Sequence, residues 1–122
     1  NVFEELKAGE KRTHWMWFVF PQIKGLGFSF MNVRYAIQSL DEAEAYLNHP
    51  TLGARLLRCT QQVLDVEGRS AEEIFCFPDV LKFRSSMTLF SQIPNSSIQF
   101  EQALELYYGG EPDFETLKII RQ

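Results

Sequence analysis

The chain has 122 residues, 45% hydrophobic and 23% charged, which suits one soluble domain that buries about two-thirds of its unfolded surface without a disulfide or metal. Its net charge of −4 and pI near 5.2, with the basic residues scattered, argue against nucleic acid as a partner. Cys59 and Cys76 lack CxxC spacing and His14 and His49 lack HxxxH spacing, so no metal or other cofactor is expected, and two thiols without a secretory segment fit a reducing cytoplasm.

Residues 2–8 read as the last turns of a helix, with Val2, Phe3 and Leu6 on one side and Gly9 as the stop. The chain opens at Asn1 without a methionine, as a trimmed N-terminus would. Residues 11–22 follow, reading KRTHWMWFVFPQ: three ionisable side chains (Lys11, Arg12, His14) run into six large apolar residues before Pro21. Periodicity cannot assign so short an apolar run, but nothing else in the chain alternates with period two, so a helix is expected. The apolar run lies within residues 13–23, an uncharged stretch of 11 residues that is too short to span a bilayer, so no membrane partner is expected.

Gly25-Leu26-Gly27 is a turn, with Ser29 as N-cap of a helix through Ile37. Ser39-x-x-Glu42 is a capping box opening a helix that carries Leu40, Ala43, Tyr46 and Leu47 and breaks at His49-Pro50. Leu52, Leu56, Cys59, Val63 and Val66 then recur at helical spacing up to Gly68. Ser70-x-x-Glu73 is a second capping box, for a helix through Phe75. Asp79 is the expected N-cap of a helix whose seam is Val80, Phe83, Met87 and Phe90. Ser96-x-x-Gln99 opens another, with Phe100, Ala103, Leu104 and Tyr107 inward and Gly109-Gly110 as its stop, and Asp113 caps a last helix bearing Leu117 and Ile120. The expected fold is all-α, about eight short helices around one core in a single domain spanning 1–122.

Several polar residues call for an explanation beyond packing. His14, where a cationic entrance meets an apolar wall, reads either as a general acid or base and anion contact, or as a helix cap. Trp15 and Trp17 read first as core; Trp15, adjoining the charges, is the one expected to face a pocket if either does. Lys82 with Ser85 and Ser86 lies at helical i, i+3 and i, i+4 spacing, which suits a base and a nucleophile, although the order is the reverse of Ser-x-x-Lys and packing plus an Asp79 cap explains it as well. Arg55 sits in the first turn of its helix, where the macrodipole disfavours a cation; it is either solvated or held to meet a carboxylate or phosphate.

The segments KRTHWMWFVFPQ, GLGFS, YAI, EAEAYLNHPTLGARL, IFCFPDVLKFRSSMTLF and GGEPDFETL together resemble the bacterial family filed as domain of unknown function 1810, almost end to end and in unbroken order. The resemblance implies a compact helical domain and brings no established activity, so no catalytic residue is carried over. The label calpastatin, sometimes attached to the family, implies flexible polar inhibitors and does not suit a sequence built to fold. Two departures stand out: the family pattern has glycine where this chain has Cys76, and it begins with a further helical stretch ahead of Val2.

Three functions compete. The first is a small anionic-ligand site or enzyme between the His14 stretch and the 79–88 helix, with Lys11, His14, Trp15, Arg55, Lys82 and Ser86 as ligand contacts and His14, Lys82 and Ser85 as catalytic candidates. The second is a protein-interaction or regulatory module that uses an exposed patch at Phe28, Phe30 and Met31, with its partner unspecified. The third, single-stranded nucleic-acid binding through the tryptophans, is opposed by the acidic balance.

Overall fold

The computed structural model describes residues 2–26 and 30–121, and of residues 30–32 the backbone alone. Among the described residues the fold is all-α, with nine helices where about eight were expected: α1 (Val2–Lys7), α2 (Met16–Val19), α3 (Phe30–Tyr35), α4 (Leu40–Asn48), α5 (Leu52–Leu64), α6 (Ala71–Phe75), α7 (Asp79–Ser91), α8 (Ile98–Tyr108) and α9 (Phe114–Ile120).

The organising element is α7. It packs against α2, α4, α6, α8 and α9 and buries Val80, Phe83, Ser85, Ser86, Met87, Thr88, Leu89 and Phe90, so it is covered on nearly every side. Phe83 stacks on Phe75 at 4.6 Å between centroids and meets the edge of Phe20 at 4.9 Å, while Phe90 tilts against Phe100 at 5.6 Å. Each such ring contributes roughly 1.5–3 kcal/mol by leaving water. On α5 the expected seam is present, with Leu56, Cys59 and Val63 fully buried. Gly53 lets α5 approach the end of α4: a Cβ there would lie 1.8 Å from the Leu47 carbonyl oxygen.

Local signals account for several helix ends. Gly9, at φ +74°, closes α1, with Gly9 N–H donating to Leu6 O and Glu10 N–H to Glu5 O. Ser39 Oγ accepts from the Glu42 amide, the Ser70/Glu73 box is complete, and Asp113 caps α9 through the Thr116 amide. Other expectations are corrected. The residues 15–20 run is helical only over Met16–Val19; Phe20, at φ −124° and ψ 74°, has left the helix because the residue before a proline is pushed out of the α region. Beyond Pro21 the chain is extended, and Ile23 bridges Ile37 in parallel, so α3 ends at Tyr35 rather than at Ile37. The N-cap of α7 is Pro78, which makes Asp79 the first helical residue, and the N-cap of α8 is Ser97, while Ser96 Oγ donates to Phe90 O. Helix α5 ends at Leu64, four residues before Gly68. Ser29, Phe28 and the side chains of Phe30 and Met31 lie outside the described residues.

Candidate ligand site

The loop between α1 and α2 is folded around one carboxylate. Glu5, only 8% exposed, accepts from the Arg12 and Thr13 amides at 2.6 and 2.9 Å, from the Thr13 hydroxyl at 2.7 Å and from the Trp15 indole at 3.0 Å. Burial pushes its pKa up, but the Thr13 hydroxyl, the two amides and the indole together outweigh burial and hold it down at about 2. These donors flank His14 on both sides and fix the loop that carries it. Nothing in the sequence singles out Glu5, because its partners are seven to ten residues away and form no local pattern.

A second carboxylate ties this loop to α7. Asp79 Oδ2 lies 2.7 Å from Lys11 Nζ, and Asp79 Oδ1 lies 3.7 Å from Lys82 Nζ. The Lys11 side chain is 7% exposed; its ammonium also donates to Thr13 O at 2.6 Å and stands 5.2 Å from the Trp15 ring centroid. Lys11 is thus fully engaged as a clamp. At the first position of α7, the Asp79 carboxylate is additionally favoured by the helix N-terminus.

Between the two segments lies a cleft of about 320 Å³, lined by Lys11, His14, Trp17, Cys76, Asp79 and Lys82 among others. His14 is exposed, and among the described residues no hydrogen bond engages its imidazole. Lys82 is held only loosely by Asp79. Two lysines against one aspartate leave the cleft with one positive charge in excess. Among the described residues no group of three or more His, Cys, Asp or Glu side chains is placed to hold a metal ion.

Lys11, His14 and Lys82 are therefore brought together, and the other candidate contacts are not. Trp15 is 3% exposed and turned into the core, bonded to Glu5; it is Trp17 that lines the cleft. Ser85, facing α9, donates to Leu81 O and Asp113 Oδ2, an arrangement that joins two helices and offers no nucleophile to the cleft. Ser86 is fully buried on the core side of α7. Arg55 points to the far side of α2, where its Nη2 donates to Phe18 O at 2.7 Å and to the Tyr46 hydroxyl at 3.3 Å. The backbone carbonyl that α2 leaves open at its end, rather than a carboxylate, accounts for this cation.

Arg55 belongs to a second concavity, of about 530 Å³, lined by Trp17, Phe18, Pro21, Tyr35, Tyr46, Leu52 and Arg55. Tyr35 stacks on Trp17 at 6.5 Å with 20° between the planes, and the guanidinium stands 5.6 Å from the Phe18 centroid. The Tyr46 hydroxyl donates to Phe18 O at 3.0 Å, and burial raises its pKa against the opposing pull of Arg55. Trp17 is common to the lining of both cavities.

These features define a small all-α domain with a cationic cleft and an aromatic chamber that share one tryptophan, Trp17, as a lining residue. The chain belongs to the family described as Protein of unknown function (DUF1810), which matches residues 1–120. It is similar to the conserved hypothetical protein Rv1873 from Mycobacterium tuberculosis, known from a crystal structure: the two are 55% identical, with a TM-score of 0.97 over 99% of this chain and 86% of that one. No curated protein matches the chain. Among the described residues no helix is long and apolar enough to cross a membrane.

Proposed function

We propose that this protein binds a small anionic ligand in the cleft between the His14 loop and the start of α7. The observation that carries this reading is the convergence of Lys11, His14 and Lys82 on one 320 Å³ concavity holding a single opposing carboxylate, at the lower end of the ~300–1,000 Å³ typical of small-molecule sites. In this reading Lys82 and His14 meet the anion. Lys11, neutralised by Asp79, holds the wall in place. An exchangeable proton in such a site would be carried by His14.

The test is a thermal-shift screen of nucleotides, sugar phosphates and carboxylates against the protein, His14→Ala and Lys82→Ala. A ligand at a hundred times its Kd adds about 2.7 kcal/mol of stability, and that gain is expected to vanish in both variants. A gain of equal size in all three proteins would overturn the assignment. Phe77, 77% exposed on the rim, and Leu81, 49% exposed one turn along, favour a second reading as a non-enzymatic interaction module. Silence across the panel with both variants folded would move the balance to it.

A further inference from the structure

The aromatic chamber is not used by the anion reading, and its composition is specific. Four rings (Trp17, Phe18, Tyr35, Tyr46) and one guanidinium line it, and no carboxylate is among its described lining residues. Such π-faces offer a flat ring surfaces to stack on, and the fixed charge of Arg55 opposes the cations that the same faces would otherwise attract. Arg55 spends Nη2 on Phe18 O and Tyr46, so its charge stays in place with no ligand present. Trp17 lines this chamber and the His14 cleft alike, so the two cavities share one wall residue.

We infer that the chamber is the ring subsite of the same ligand, and that the ligand is a planar aromatic or heteroaromatic ring bearing a phosphate or carboxylate. This inference rests on the anion site proposed above. Stacking fixes the ring against Tyr35 and Trp17, while Lys82 and His14 take the anion.

The experiment titrates the full chain, by tryptophan fluorescence and calorimetry, with matched probes: AMP and indole-3-acetate, ribose 5-phosphate and acetate as the same anions without the ring, and adenosine as a ring without the anion. The variants are Lys82→Ala and Tyr35→Ala, the latter truncating a side chain already 37% exposed. At least one ring-bearing anion is expected to bind on the order of tenfold or more tighter than its ringless counterpart, an advantage that Tyr35→Ala removes. Circular dichroism checks that Tyr35→Ala is folded, and Tyr35→Phe, which keeps the ring, is expected to restore binding. Ringed and ringless anions binding alike, both weakened by Lys82→Ala, would overturn the ring subsite and leave the anion site standing. Adenosine binding as tightly as AMP, with AMP indifferent to Lys82→Ala, would overturn the joint ligand, and ribose 5-phosphate would then report on the anion site. No binding by any ring-bearing probe would overturn the inference, and ribose 5-phosphate would then report on the anion site alone.

Discussion

Cys76 sits at φ 62° and ψ 170°, a conformation close to exclusive to glycine, and it does so at the turn that joins α6 to α7. Its backbone is not free to relax: the N–H donates to Glu72 O at 2.8 Å and the carbonyl accepts from Val80 N at 2.8 Å. Holding a Cβ there costs about 1–3 kcal/mol, whereas glycine would cost roughly 0.5–1 kcal/mol in unfolded-state entropy. Because the thiol is exposed, its removal forfeits little burial. Cys76→Gly is therefore expected to stabilise the protein by about 1 kcal/mol. With an unfolding entropy of about 2.1 cal/mol/K per residue, 1 kcal/mol raises Tm by about 4 °C for a chain of 122 residues. Urea unfolding and differential scanning calorimetry read both quantities, with Cys76→Ala as the control that removes sulfur but keeps the Cβ. Glycine no more stable than alanine would refute the reasoning, since it would mean that the turn stores no strain.

Three further outcomes follow from the packing. Glu5→Ala, which strips four donors of their acceptor, is expected to cost about 3–5 kcal/mol, and Glu5→Gln, which keeps one oxygen in place, about 1–2 kcal/mol. The sign of the pH effect is set by a folded-state pKa of about 2, below the ordinary 4.5: the stabilisation is complete above pH 4.5 and disappears as pH falls from there through 2, so the gap between wild type and Glu5→Gln in urea titrations narrows over that interval. Gly53→Ala drives a Cβ into a backbone oxygen rather than a yielding side chain and is expected to destabilise by about 3 kcal/mol or more in the same assay. Of the two thiols, exposed Cys76 reacts with Ellman's reagent in the native protein, while Cys59, fully buried and with its pKa pushed up to about 11 by burial against the weaker pull of Arg55 and Arg58, reacts only after denaturation.

What could be read from the sequence was what short-range chemistry decides. Ser70, Glu73, Asp113 and Gly9 act on amides within a few residues, and the four-three spacing of Leu56, Cys59 and Val63 settles which face of α5 turns inward. The candidate site was legible only in part, because it is assembled from distant segments. Asp79 looked like a cap and proved to be the counter-ion of a lysine 68 positions earlier in the chain. Glu5 carried no signal at all. Arg55 was correctly singled out as a cation in an unfavourable place, but the carbonyl it serves lies 37 residues away. The reading of both tryptophans as core holds for Trp15, but Trp17 rather than Trp15 is the indole that lines the cleft, because a turn of only four residues, Met16–Val19, sets which indole faces inward.

The central claim is a location, and an amide-resolved NMR titration with the anion that gives the largest thermal shift tests it most directly. The account predicts shifts at the His14 loop with the Trp17 indole and at the 76–82 segment, joined by Tyr35 and Tyr46 when the anion bears a ring, accompanied by a change in the His14 ring resonances and abolished in Lys82→Ala. Shifts centred on other surfaces, or a full response from a folded Lys82→Ala, would contradict it.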